Sequence, residues 1–426
     1  MKTIFLLFTT LLLISACSWV DDKQAKDYSA VAALPGDSSS KTQLSPDLMK
    51  YKVAISAFAD STFKNGTLNG SFLVAKDGQV LFEQYEGYSH YHAQKDSITV
   101  TTPFHLASVS KTITATAILR LVQEGKIKLE DSVSAYLPGF PKPAITVKLL
   151  LNHRSGLPNY VHYMERLGWD KKKRISNQDV LDFIITRNND IDIAPADRGF
   201  SYSNTNYALL ALIIEKVTGI SYSAYLKQTI FDPLGMKNTY VFSLTDSARS
   251  MPSYFYSGKQ YAFDFLDLVY GDKNIYSTAQ DLLKFTVALS SGTFLNLNLS
   301  EAALTPYSFE KPGTHNYGLG WRMLLLKNGK KLIYHNGWWH GSRTALYRLP
   351  DEKVTIIALC NNDSKRIYSV KKLADLFGDY LQNGDKEEDL DKMMVSNHSP
   401  HRRHKKSTTA KLHSKIKHSR PIASKN

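Results

Sequence analysis

The stretch GSFLVAKDGQVLFEQYEGY, Gly70–Tyr88, alternates apolar and polar residues on both sides of Lys76-Asp77-Gly78. This pattern predicts a β-hairpin. Strand-like runs with short turns recur near the other end of the chain: YGLGWRMLLL (317–326), KLIYHN (331–336), RTALYRLP (343–350) and EKVTIIALC (352–360), followed by a helix-like VKKLADLFGDYLQ (370–382). Between the two ends, from Thr112 to about Leu289, helical periodicity dominates. The sequence therefore predicts an α+β fold in which both ends build one antiparallel sheet around a large helical insertion, about 112–290.

The first residues have the layout of a secretory signal. Lys2 precedes the apolar run Ile4–Ile14, which is too short for a stable membrane span. The run ends in Ile14-Ser15-Ala16-Cys17, which resembles the lipobox of bacterial lipoproteins. An ordinary signal peptide cleaved nearby is the alternative. We predict a signal peptide at 1–16, lipidation of Cys17, a flexible tether at 17–45, a folded domain at 46–383 and a tail at 384–426.

Lipidation of Cys17 would leave Cys360 without a partner for a disulfide, because the chain has two cysteines. Cys360 lies in VTIIALC and is predicted to be a small apolar residue of a buried strand.

The net charge of +14 is concentrated in the tail. Residues 396–426 contain six Lys and three Arg and no acidic residue, so the rest of the chain is only mildly basic. This distribution argues against a nucleic-acid partner. The tail is predicted to be disordered. It would either adhere to anionic envelope polymers and lipid head groups or form a solvated extension.

The stretch FHLASVSKTITATAILRLVQEG, Phe104–Gly125, contains one of six Ser-x-x-Lys matches in the chain. It differs from the others because it leads into a helix whose apolar residues share a face and which stops at Gly125. Ser108 would then lie at the helix N-terminus, with Lys111 one turn later. A serine becomes a nucleophile when a neighbouring base takes its proton, and a lysine can be that base only when it is buried. The alternative is that Ser108 merely caps the helix and that Lys111 lies at the surface.

Two further stretches carry polar groups suited to catalysis. RGFSYSNTNYALLALIIEKVTG, Arg198–Gly219, places Tyr202 and Asn204 before an apolar helix that is predicted to start around Tyr207. A phenol can relay a proton, and an amide can both accept and donate hydrogen bonds. The run IYHNGWWHGSRT ends a predicted strand with His335-Asn336-Gly337, where a glycine would let a substrate approach the backbone.

In order and spacing, these three stretches resemble the serine β-lactamase-related family, which includes class C β-lactamases, D-alanyl-D-alanine carboxypeptidases, D-aminopeptidases and related esterases. The resemblance extends over about Leu48 to Gln382 and includes LLLNHRSGLPNY, IYSTAQDLLKF and NYGLGW. It implies the β-lactamase/transpeptidase-like fold, an acyl-enzyme and no cofactor. The substrate would be a small peptide, an ester or a β-lactam-like molecule.

By this resemblance, Ser108 is the acylated nucleophile, Lys111 its proton partner and Tyr202 the general base and acid. Asn204 would hold both the substrate and Lys111. His335 and Gly337 would lie on the edge strand beside the site. The backbone N–H groups of Ser108 and Trp338 would form the oxyanion hole.

One departure concerns the third motif, where the β-lactamases of this fold usually have Lys-Thr-Gly. A histidine at position 335 is mostly neutral at pH 7, which weakens recognition of a substrate carboxylate unless Arg343 turns inward to compensate. Trp338 and Trp339 would give the site an apolar wall, or one of them would pack on the sheet. No metal is expected, because His335 and His340 have no acidic or cysteine cluster beside them in the sequence.

These observations predict a serine hydrolase of the bacterial envelope, exported and anchored to a membrane by a lipid. It would cleave an amide or ester through an acyl-enzyme, in a D-amino-acid peptide, a peptidoglycan-related peptide or an ester. A true β-lactamase is an alternative within the same enzyme class. A catalytically idle lipoprotein that binds penicillin or peptidoglycan is the alternative from another class.

Overall fold

The computed structural model describes residues 44–63 and 67–382, which belong to one compact unit. The predicted signal peptide, the lipidated Cys17, nearly all of the tether and the basic tail lie outside the described residues.

A seven-stranded antiparallel sheet has the order β2-β1-β12-β11-β10-β9-β8. Its strands are β1 (Gly70–Lys76), β2 (Gln79–Glu86), β8 (His315–Tyr317), β9 (Arg322–Leu325), β10 (Lys331–Trp339), β11 (Ser342–Leu349) and β12 (Val354–Cys360). The hairpin turns at Asp77 and Gly78, both with positive φ, as a two-residue turn requires. Ser71 pairs with Leu359, so the two ends of the chain share one sheet, as predicted.

Five short strands lie outside this sheet. Three of them form a small sheet that includes the start of the catalytic stretch: β5 (Phe104–His105), β6 (Tyr240–Val241) and β7 (Ile275–Ser277). The other two, β3 (Tyr88–His90) and β4 (Lys95–Ser97), pair with each other. Strand β7 lies between β5 and β6, so the segment at 275–277 runs beside the chain that leads into Ser108.

The α-helices are α1 (Pro46–Thr62), α2 (Ser110–Gln123), α3 (Val147–Leu151), α4 (Tyr160–Arg166), α5 (Asn177–Thr186), α6 (Asn204–Thr218), α7 (Tyr222–Leu226), α8 (Ala279–Ser290), α9 (Leu297–Ala303) and α10 (Ala374–Phe377). Helix α2 is buried on every side from Ser110 to Leu121, not only on the predicted apolar face. Its Thr112, Thr114 and Thr116 hydroxyls donate to backbone carbonyls, which makes their burial tolerable. The helix ends at Gln123, just before Gly125 with φ +71.

The predicted strand 317–326 is broken in the structure. Strand β8 ends at Tyr317, β9 begins at Arg322, and the glycines between them approach other elements closely. A Cβ on Gly320 would lie 2.3 Å from Ala115 Cβ, so glycine is required where this loop packs on α2.

The predicted helix 370–382 is wrong in extent and in type. A 3₁₀ helix, Lys365–Leu373, precedes the single turn of α10. Its buried residues Ile367, Val370 and Leu373 are three apart, which suits the three residues per turn of a 3₁₀ helix that lies on the sheet.

Within residues 44–63 and 67–382, no single helix has the length and apolar composition to cross a membrane. Helix α6 and the helical segment Tyr222–Phe231, which are bent by 80° relative to each other, meet that test only as a pair.

Candidate active site

The nucleophile turn runs from β5 through a 3₁₀ segment, Ala107–Val109, into α2. Between Phe104 and Leu121, Ser108 is the one residue that is partly exposed. Neither helical segment has a side-chain capping hydrogen bond at its start. The proposed capping role of Ser108 is therefore wrong, and its hydroxyl is directed to Lys111 instead.

Lys111 is fully buried and joins three acceptors. Its Nζ lies 3.2 Å from Ser108 Oγ, 2.8 Å from Asn204 Oδ1 and 2.7 Å from the Asp272 carbonyl oxygen. An ammonium donates to all three, whereas a neutral amine donates to Asn204 and Asp272 and accepts the Ser108 proton. The same geometry therefore serves both protonation states, as a proton relay requires. The alternative of a surface Lys111 is wrong.

Tyr202 lies above this lysine, partly exposed. Lys111 Nζ is 5.0 Å from the centre of the Tyr202 ring, and the guanidinium carbon of Arg322 is 4.7 Å from it. Lys111 and Arg322 thus both lie against the Tyr202 ring. This environment suits the general base and acid that the resemblance implies.

Asn204 is the first residue of α6, which begins three residues before the predicted start. The turn before it is held by His153, whose Nδ1 accepts from the Ser203 backbone N–H at 3.2 Å and from Asn206 Nδ2 at 3.1 Å. The His153 ring also lies 4.3 Å from the Tyr202 ring. His153 therefore supports Tyr202 and Asn204, a role that the sequence did not reveal.

His335 has no exposed surface. Its Nδ1 donates to the Asn336 carbonyl at 2.8 Å, so Nε2 is the acceptor for the Tyr317 hydroxyl at 3.1 Å. Burial, together with the charges of Arg322 and Lys111, holds the pKa of His335 well below its usual value. The imidazole is neutral, and without exposed surface it does not face a substrate directly.

Gly337 brings β10 against the nucleophile turn. A Cβ there would lie 2.5 Å from the Leu106 carbonyl oxygen and 3.0 Å from Ala107 Cβ. The glycine thus permits contact between the strand and the turn before Ser108. This packing, not the approach of a substrate, is what the structure shows at Gly337.

Trp338 on β10 and Arg343 on β11, both predicted to bind substrate, have their side chains on the face of the sheet opposite Gly337. Arg343 pairs with Asp363 at 2.7 Å and stacks on Trp338 at 4.3 Å, below the 3₁₀ helix. Cross-strand partners share a face, and Trp338 pairs with Arg343. Arg343 therefore does not turn inward, and the Trp338 indole does not form a wall of the site; Trp339, one residue on, packs against the core and donates to Asp267.

Arg322 on β9, and not Arg343, is the guanidinium that lies within the site, against the Tyr202 ring. It is buried, and none of the ion pairs among the described residues includes it. Burial acts to lower the pKa of Arg322, but the phenols of Tyr334, Tyr202 and Tyr317 outweigh burial and raise it. The sequence signal for Arg322 was its position as a charged residue within the apolar run WRMLLL.

His340 does have acidic neighbours, contrary to the prediction. Asp264 and Asp267 place carboxylate oxygens within 4.8 Å of its ring and of each other. Asp267 already accepts from His340 Nε2 at 3.0 Å and from Trp339 Nε1 at 2.7 Å. The cluster is a hydrogen-bonded junction between the 264–267 loop and the end of β10.

Comparison with known proteins finds a matching family model, related sequences and similar solved structures. The family model described as beta-lactamase matches residues 52–375. Penicillin-binding protein 4* of Bacillus subtilis (strain 168) is 33% identical over 333 residues, which is 73% of this chain and 72% of the relative. A penicillin-binding protein from Bacillus halodurans is 22% identical with a TM-score of 0.64 and covers 74% of this chain and 98% of its own. A D-amino acid amidase from Ochrobactrum anthropi SV3 is 24% identical with a TM-score of 0.61, over 76% and 99%.

Proposed function

Because the chain belongs to the beta-lactamase family, we propose that it is a serine hydrolase that cleaves an amide or ester bond of a D-amino-acid peptide or related molecule through an acyl-enzyme on Ser108. The observation that carries this proposal is the buried Lys111, whose Nζ joins Ser108 Oγ and Asn204 Oδ1 below the Tyr202 ring. A protein that only binds its ligand would not need a buried amine in contact with a partly exposed serine.

In acylation, Ser108 Oγ attacks the substrate carbonyl while its proton passes to the Lys111–Tyr202 pair. The carbonyl oxygen becomes an oxyanion, which the N–H groups of Ser108 and Trp338 stabilise. The carbonyl–leaving-group bond then breaks, and Tyr202 returns the proton to the leaving group. Water hydrolyses the acyl-enzyme by the same route in reverse and restores the Ser108 hydroxyl.

A fluorophosphonate probe tests the nucleophile. Intact-protein mass spectrometry of the 44–382 fragment should show one added phosphonyl group in the wild type and none in Ser108→Ala. Ser308→Ala is the matched control and should be labelled like the wild type, since Ser308 is likewise partly exposed and begins another Ser-x-x-Lys match. No labelling of the wild type would favour the idle binding protein.

The substrate class rests on the amidase and penicillin-binding relatives and on the third motif, where neither the neutral His335 nor Arg343, which is paired with Asp363, offers a charge to a substrate carboxylate. D-amino-acid amides, D-alanyl-D-alanine peptides, short-chain esters and a chromogenic cephalosporin form the decisive panel. We expect amides or esters without a free carboxylate to be turned over fastest. Fastest turnover of the cephalosporin would instead make the protein a true β-lactamase.

We also propose that Cys17 anchors the enzyme to a membrane of the bacterial envelope, on the strength of the Ile14-Ser15-Ala16-Cys17 sequence alone. The basic tail is proposed to add contacts to anionic envelope polymers. Cys17→Ser should move the protein out of the membrane fraction. Equal membrane retention of the variant and the wild type would contradict lipidation.

A further inference from the structure

The residue before the nucleophile has an unfavourable backbone conformation. Ala107 has φ +48, in the left-handed region that residues with a Cβ seldom adopt. Ser108 follows directly, so the direction of its side chain and of its backbone N–H depends on this turn. Such a conformation persists only where the surroundings hold it.

The ring of His105 contacts this turn directly. Its Nδ1 accepts from the Ala107 N–H at 3.1 Å, so Nε2 carries the proton and donates to Asn274 Oδ1 at 2.9 Å. Asn274 is itself fixed, because its Nδ2 donates to the carbonyls of Asp267 and Val269, both at 2.8 Å. The imidazole therefore links the strained turn to a rigid loop.

The same loop holds the chain on both sides of Ser108. The Ile275 carbonyl accepts from the Leu106 N–H at 2.8 Å, and the Ile275 N–H donates to Ser110 Oγ at 3.2 Å. Three residues earlier, the Asp272 carbonyl accepts from Lys111. Residues 272–275 thus form a template against which the nucleophile turn is built.

We propose that His105 is a positioning residue for Ser108: its imidazole, anchored on Asn274, holds Ala107 in the left-handed conformation that presents the nucleophile and its backbone N–H. The proposal rests on the proposed function, since it concerns the same serine. Burial supports it by lowering the pKa of His105 to about 4, which keeps the Nδ1 lone pair available at neutral pH.

Two substitutions test the roles of the two ring nitrogens of His105 separately. In His105→Asn, the amide oxygen lies near the position of Nδ1 and can still accept from Ala107. In His105→Gln, the amide reaches Asn274 but leaves the Ala107 N–H without its acceptor. The readouts are the rate of fluorophosphonate labelling at Ser108 and the kcat and KM for p-nitrophenyl acetate.

We expect His105→Gln to lose about 10- to 100-fold in labelling rate and in kcat with little change in KM, because a misplaced nucleophile slows chemistry more than binding. His105→Asn should stay within a few-fold of the wild type. The matched controls are His90→Asn and His90→Gln, on the exposed β3 histidine, which should both leave the rates unchanged.

Ala107→Gly supplies the rescue. Glycine adopts positive φ without a steric cost, so the turn would no longer depend on His105. In the Ala107→Gly background, His105→Gln should lose only a few-fold relative to Ala107→Gly alone. A structural role elsewhere in the protein would give the same loss in both backgrounds.

Three results would overturn the proposal: equal rates for His105→Asn and His105→Gln, an equal loss from His105→Gln in the wild-type and Ala107→Gly backgrounds, or a His105→Gln protein that stays unfolded even with Ala107→Gly. Thermal unfolding of each variant distinguishes these cases. Failure of the wild type to be labelled at all would contradict the proposed function and not the role of His105 alone.

Discussion

The active site has two sides, the Ser108 turn with helix α2 and the strand β10. They differ in which element supplies the positively charged side chain. On the Ser108 side, the cation is Lys111, one turn further along the same helix. On the β10 side, the strand contributes a neutral, buried His335, and the cation is Arg322 on the neighbouring strand β9. The nucleophile and its cation thus belong to one local motif, whereas the cation on the β10 side is brought there by the pairing of β9 with β10. The predictions below test this contrast.

The largest expected effect on activity is on the Ser108 side of the site. Lys111→Met should lower kcat/KM by about 10³-fold or more, because it removes the relay and leaves the Asp272 carbonyl and the Asn204 amide without their donor. Tyr202→Phe should be similarly impaired, and the double variant should be little worse than either single variant. Steady-state kinetics on the best substrate of the panel gives these values, and fully additive losses would mean that the two residues act separately.

The neutral histidines of both sides predict a pH-dependent stability. Burial lowers the pKa values of His105, His153 and His335, whereas in the unfolded chain they titrate near 6.5. The unfolded state therefore binds more protons below pH 6.5, and stability is lost as the pH falls. The loss is about 1.4 kcal/mol per pH unit per histidine until the folded pKa is reached.

Urea unfolding between pH 7.5 and 5.5 measures this slope, and His335→Gln should take up one proton fewer on unfolding than the wild type. Equal slopes would mean that His335 is not neutral in the folded protein. For the same reason His335→Lys should be destabilising, since it would add a third buried cation beside Lys111 and Arg322.

Contact between the two sides depends on Gly337. Gly337→Ala should lower kcat about 100-fold, because its methyl group would meet the Leu106 carbonyl and displace β10 from the nucleophile turn. Gly199→Ala is the control, as its nearest neighbour would be Glu310 Cγ at 3.9 Å. Unchanged kinetics in Gly337→Ala would show that the strand and the turn need not touch.

The sequence predicted the structural features that are formed by residues close together in the chain. The hairpin at Asp77-Gly78 and the position of Lys111 one turn after Ser108 follow from local patterns, and strand-like runs at both ends of the chain indicated their shared sheet. The face of the sheet on which Arg343 lies depends on the register of β11 with β10 and β12 and on the 3₁₀ helix above it, and neither is visible in one sequence. His105 and His153 were missed for the same reason, since their partners Asn274 and Asn206 are brought to them only by the fold.

The most direct test of the contrast compares two buried arginines. Arg322→Met should lower kcat/KM by about 10- to 100-fold, as expected for loss of a charged contact of about 1.5 to 3 kcal/mol at Tyr202. Arg343→Met should leave kcat/KM within about twofold, because Arg343 pairs with Asp363 on the far face of the strand. Both variants are compared by kcat/KM on the same substrate, with thermal unfolding as the control for folding. A larger loss for Arg343→Met than for Arg322→Met would contradict the claim that β9 supplies the charge of this site.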